Sequence, residues 1–134
     1  MLGDKLGNVT GKVVLRRVLS SGSGAARTES TQRGTGTLLG VKYQETSTYE
    51  SELRPDGTVF GMGQGIYMGT GGEMATWTGQ GVGTFAKDGG VSFRGAIYLY
   101  ATSAKWQRLN AVAGLFEYEV DADDNYKATL NEWK

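Results

Sequence analysis

The chain reads as an all-β protein, an eight-stranded antiparallel barrel wound as a meander. Three observations predict it. Polar and apolar residues alternate through most of the chain, while helical periodicity is nearly absent. The alternating stretches are separated by glycine-rich turns, which mark consecutive hairpins. Finally, there are 22 glycines but one proline, so the backbone bends freely while keeping the N–H groups a sheet needs.

Each element has its own reason. Residues 9–19 and 27–39 are strands joined by the flexible "SSGSG" loop. Residues 41–54 carry a solvated row from Lys42 and Gln44 to Glu52 and Arg54, so the odd positions, Tyr43, Glu45, Ser47 and Tyr49 among them, face inward. The "RPDGT" turn holds Pro55 where its fixed φ helps, pairs Arg54 with Thr58 and leads into residues 58–69. "TGG" is a three-residue loop from Gly69 to Glu73, opening residues 73–86.

That register sets Gly61 opposite Gly81, Gly63 opposite Gly79 and Gly65 opposite Trp77, with Tyr49 opposite Gly63. Val59, Tyr67, Ala75, Trp77 and Phe85 share the inward face. Residues 91–102 follow the "KDGG" turn, which, as a loop of two or four residues, reverses the parity and puts Arg94, Ala96, Tyr98 and Tyr100 inside. "TSAKWQRL" predicts one helical turn capped by Thr102 or Ser103. Residues 109–121 and 125–133 form the last hairpin, with Phe116, Tyr118, Val120, Tyr126, Ala128 and Leu130 inward and Glu119 opposite Lys127 outside. No linker divides the chain, so residues 1–134 are expected to form one domain.

The segment "WTGQGVGTF" invites a different reading, because glycine at every second position resembles a phosphate-binding loop. Such a loop must open a helix whose first N–H groups face the anion. Here Gly83 runs into Thr84, Phe85 and another hairpin, and there is no lysine of a P-loop. The glycines belong to a strand, where each costs roughly 0.5–1 kcal/mol relative to alanine and is offset by packing or curvature.

Composition excludes several function classes. The chain has no histidine and no cysteine, which removes disulfides, thiol nucleophiles, imidazole bases and zinc sites built on those ligands. "DADDN" at 121–125 lacks the glycine and distal glutamate of a calcium loop and reads as a turn. No cofactor is implied. Lysine plus arginine and aspartate plus glutamate both number 14, so no global field attracts nucleic acid. The first 42 residues carry seven basic side chains against two acidic ones, an ordinary solvated face balanced by acids elsewhere. With no leader pattern and no bilayer-length apolar stretch, a cytoplasmic setting without membrane contact is expected.

On this register the outward face of strands four to six is apolar: Phe60, Met62, Ile66, Met68, Met74, Val82, Val91, Phe93, Ile97 and Leu99. Either a bulge shifts the register or a second subunit covers this wall, and a homodimer is the expectation.

The runs "YESELRPDGTVFGMGQG", "GGEMATWTGQGVGTF", "VSFRGAIY" and "GLFEYEVDADDNYKATLNEWK" resemble a family of small bacterial proteins without assigned function. That family is grouped structurally with the allene oxide cyclase-like eight-stranded barrels. The resemblance covers nearly the whole chain from Val9 to Lys134 and implies the barrel. It implies no reaction, and no catalytic motif of the plant allene oxide cyclases aligns with a residue here.

The interior suggests a site for a small apolar or anionic molecule. Arg94 is expected to supply a fixed positive charge, and Glu45 to act as a general acid or base if burial raises its pKa. Tyr49, Tyr67, Trp77, Tyr98 and Tyr100 supply the walls. A filled core in which Glu45 pairs with Arg94 or with tyrosine hydroxyls is the alternative. Three roles follow: a ligand-binding barrel, a cofactor-free isomerase or cyclase that confines its substrate, or an assembly protein joined through its outer face. Gln64 and Gln80, each in a "GQG" triplet, are expected to point outward.

Overall fold

The computed structural model describes residues 1–134. In chain order the strands are β1 (Leu2–Leu19), β2 (Arg27–Leu38), β3 (Val41–Leu53), β4 (Val59–Gly69), β5 (Met74–Phe85) and β6 (Val91–Ala101). A 3₁₀ helix (Ala104–Ala111), β7 (Ala113–Val120) and β8 (Asn125–Trp133) complete the chain. Every strand pairs antiparallel with its sequence neighbours and β8 returns to β1, closing an eight-stranded barrel with no free edge. No helix is long and apolar enough to cross a membrane.

The glycine-rich wall forms in the expected register. Gly61 pairs with Gly81, Gly63 with Gly79, Gly65 with Trp77, and Tyr49 with Gly63. A methyl group on these glycines would collide with the core. At Gly81 it would meet Phe116 Cζ at 2.9 Å, at Gly83 the Phe93 ring at 2.8 Å, and at Gly63 the Tyr49 Cβ at 2.7 Å. "WTGQGVGTF" is therefore strand β5, and its bare backbone seats aromatic rings.

Strand β6 differs from the sequence reading. Ala86 N–H donates to the Gly90 carbonyl, so the loop is the three residues Lys87, Asp88 and Gly89, with Gly89 in the left-handed region at φ 91°. An odd loop preserves parity, so Val91, Phe93, Ile97, Leu99 and Ala101 turn inward, while Arg94, Tyr98 and Tyr100 turn outward. The signal was present in "PDG". Pro55-Asp56-Gly57 is the same x-Asp-Gly loop, and in both the aspartate accepts the backbone N–H two residues on, Thr58 in one and Gly90 in the other, at 3.0 Å.

Two boundaries also move. β1 begins at Leu2 rather than Val9, because its N-terminal half closes the barrel against β8. Glycines, charges and two register shifts hide its alternation. β7 begins at Ala113 because the 3₁₀ helix takes the residues before it. That helix caps one end of the barrel: Trp106 and Leu109 are fully buried, and Trp106 Nε1 donates to the Leu38 carbonyl at 3.0 Å. Ser103 occupies the N-cap position without a side-chain cap bond, and its hydroxyl accepts from Met74 N–H instead. Asn110 fastens the helix by pairing with both backbone groups of Ala101, at 2.7 and 2.8 Å. "DADDN" is a turn in which Asp121 accepts the N–H groups of Asp123 and Asn125.

Candidate functional site

Inside the barrel lies a cavity of about 100 Å³. The inward positions of β3 to β7 line it with Tyr43, Tyr49, Tyr67, Trp77, Phe93, Phe116 and Tyr118, and Glu45 is the only carboxylate among its walls. Glu45, Tyr49, Tyr67 and Trp77 thus meet around one space, as their alternation predicts.

Arg94, Tyr98 and Tyr100 do not. The three-residue loop before β6 places them on the outer wall, where Arg94 Nε pairs with Glu117 at 3.2 Å. Of the two internal partners the sequence leaves open for Glu45, Arg94 is therefore absent and a tyrosine hydroxyl, that of Tyr126, is present at 2.7 Å. With Arg94 goes the fixed cation expected to recognise an anionic ligand. The arginine on the inward side of β1 is Arg16, opposite Ser30 and bonded to it, and its guanidinium is paired with Asp124 at 3.1 Å. Gln64 and Gln80 point outward.

Glu45 is 3% exposed and held by three donors. Ser47 Oγ donates to Oε1 at 2.8 Å. Gln32 Nε2 donates to Oε2 at 3.1 Å, and the Tyr126 hydroxyl donates to the same oxygen at 2.7 Å. A second tier orients these donors. Trp77 Nε1–H, which can only donate, gives to Ser47 Oγ at 3.0 Å, so the one Ser47 proton points at Glu45. Tyr118 donates to Gln32 Oε1 at 2.7 Å, which aims the amide nitrogen of Gln32 at Glu45. Since that proton is spent, Tyr49 is the donor in its 3.3 Å contact with Tyr118. Sequence reasoning found Glu45 and Trp77 but not Gln32, Ser47, Tyr118 and Tyr126 as its ring of partners.

Burial raises the Glu45 pKa above the ordinary carboxylate range, and the hydrogen bonds from Tyr126, Ser47, Gln32 and Trp77 offset only part of that. Burial likewise raises the phenols of Tyr43, Tyr67, Tyr118 and Tyr126, with the Glu45 charge adding to each shift. The rings form one packed cluster: Tyr118 stacks on Tyr126 at 5.4 Å, and Tyr43 lies 4.7 Å from Tyr67. Chemically, the site offers one tunable carboxyl group, oriented donors around it and aromatic faces.

No protein-family model and no curated protein matches the chain. Solved structures do. A conserved protein of unknown function from Rhodopseudomonas palustris superposes with a TM-score of 0.84 at 10% identity, over 98% of this chain and 97% of its own. A β-barrel-like protein from Acinetobacter baumannii AYE matches with a TM-score of 0.84 at 11% identity, over 100% and 96%. An enzyme from Penicillium herquei matches less closely, with a TM-score of 0.67 at 13% identity, over 96% and 92%. At these identities the likeness shows the barrel fold and no more.

Proposed function

We propose that this protein is a small-ligand-binding barrel whose lumen holds a largely apolar molecule against Glu45. One observation carries the reading: an aromatic-walled cavity of about 100 Å³ that exposes a single carboxyl group with its partners already in place. A core built only for stability has no use for an ionisable group beside a void, since both cost free energy. With Arg94 outside, an anionic ligand loses its recognition element, so the ligand is neutral or cationic.

Native mass spectrometry of the purified protein, together with xenon titration followed by NMR, tests the reading. A retained small molecule, or xenon shifts centred on the Trp77 indole and the Tyr67 ring, is expected. A lumen that xenon cannot enter and that carries nothing would end it.

A catalytic version of the same site is favoured by the raised pKa of Glu45. A carboxyl group with a raised pKa inside an apolar, aromatic lumen suits proton transfer in a cofactor-free isomerase or cyclase of the allene oxide cyclase-like kind. That the barrel of the Penicillium herquei neighbour belongs to an enzyme makes the scaffold compatible with chemistry. Turnover of a retained ligand, abolished in Glu45→Gln, is the discriminating result.

The outer wall supports a second role in assembly. From Met62 to Met68 on β4 and from Met74 to Val82 on β5, no outward position is charged. Met62, Ile66, Met68, Met74, Val82, Tyr98 and Tyr100 on this wall are 47–64% exposed. A second copy of the chain, related by a two-fold axis, sets the uncharged β4–β5 surface on its own counterpart, with the paired Arg94 and Glu117 at its edge.

A further inference from the structure

The hydrogen bonds around Glu45 and its burial ask for opposite charge states. Three donors converge on the carboxyl oxygens, and the second tier, Trp77 into Ser47 and Tyr118 into Gln32, fixes two of them as donors, so that only the Tyr126 hydroxyl can turn to accept. This arrangement suits a carboxylate, which only accepts. A proton on Glu45 adds a further donor to a shell of donors, and one of them must then turn away from its acceptor. Yet the ionised group has no counter-charge. The titratable groups facing it are the phenols of Tyr43 on β3, Tyr67 on β4, Tyr118 on β7 and Tyr126 on β8, with uncharged Gln32 on β2 and Trp77 on β5. Arg16 is committed to Asp124. A buried, unpaired carboxylate is among the costliest arrangements in a folded chain.

Both deficits vanish if the cavity holds a positive charge. The space beside Glu45 is walled by the rings of Tyr43, Tyr49, Tyr67, Trp77, Phe93 and Phe116, whose π faces attract cations once water is excluded. A metal ion does not fit this role, because no three carboxylates gather anywhere in the chain and ring faces replace the oxygen ligands it requires. We propose that the lumen is a site for a small organic cation, an amine with an apolar or aromatic body, in which Glu45 is the counter-ion and the aromatic rings are the walls. This rests on the lumenal binding reading above. A cavity of about 100 Å³ corresponds to about three water volumes, so the buried part of the ligand is a short branched or cyclic group.

The test compares three isosteric probes, isobutylammonium, isobutanol and isobutyrate, by calorimetry and by NMR shifts of the Trp77 indole, in the wild type and in Glu45→Gln. The proposal expects the ammonium to bind about tenfold or more tightly than the alcohol, the carboxylate not to bind, and the preference to disappear in Glu45→Gln while the alcohol still enters. The carbon-13 shift of the Glu45 carboxyl should move to the ionised value as the ammonium binds, a readout that needs no variant. Alcohol binding equal to or better than ammonium binding in the wild type overturns the cation proposal and leaves the binding reading standing. If none of the three probes, nor xenon, perturbs the lumenal rings, the binding reading falls and the proposal falls with it.

Discussion

Glu45 concentrates the residue-scale physics, because its two charge states are favoured by different neighbours. Unfolded, it titrates near 4.5, and burial raises that value in the folded barrel. Between the two values the folded state holds a proton that the unfolded state has lost. The Glu45 contribution is therefore fully present below the unfolded pKa and is lost as pH rises through the folded one, with a slope of up to about 1.4 kcal/mol per pH unit. Urea unfolding across that window should show the wild type losing stability relative to Glu45→Gln as pH rises, whereas parallel curves would contradict the raised pKa. Trp77→Phe keeps an aromatic ring, though a smaller one, and removes the donor that orients Ser47. It should cost about 1 kcal/mol in the urea midpoint at an unchanged m-value.

At the scale of elements, the β4–β5 wall explains why glycines alternate. The three atoms nearest a Cβ at Gly83 all belong to the Phe93 ring, at 2.8, 2.9 and 3.2 Å. Gly83→Ala should therefore cost about 1–3 kcal/mol by overpacking, and Phe93→Leu in the same chain should recover part of the loss. Purely additive costs in a double-mutant cycle would show that the glycine is required for curvature rather than for seating the ring. The same two strands show how far local patterns reach. The registers of β3 to β5 follow from alternation and from the turns "PDG" and "TGG", and the structure reproduces them pair by pair. β6 was placed on the wrong face because the length of one loop decides the parity of everything beyond it. Recognising Lys87-Asp88-Gly89 as a second copy of Pro55-Asp56-Gly57 would have corrected it from sequence.

Over the whole molecule, closure depends on parts distant in sequence. Trp106 seals one end of the barrel, edge-on to Tyr43 at 6.1 Å and bonded to the Leu38 carbonyl. Trp106→Ala should destabilise the barrel by about 3–5 kcal/mol in chemical unfolding. Trp106→Phe, which loses mainly the bond to Leu38, should cost about 1–3 kcal/mol. The proposed assembly role belongs to the outer wall. Sedimentation velocity should show a dimer that Ile66→Lys dissociates with its thermal unfolding little changed, because Ile66 contributes nothing to the lumen. A wild type that stays monomeric at millimolar concentration would remove the assembly role.

The sequence by itself determined the fold class, most hairpins, and the lumenal placement of Glu45, Tyr49, Tyr67 and Trp77. Those properties are written in period-two alternation and in turn residues, which act over a few positions. Only the tertiary structure decided the helical plug, the early start of β1 and the donors around Glu45. The last of these shows why. Gln32 and Tyr126 lie 13 and 81 positions from Glu45, and closing the barrel is what brings them within hydrogen-bonding distance of one carboxyl group.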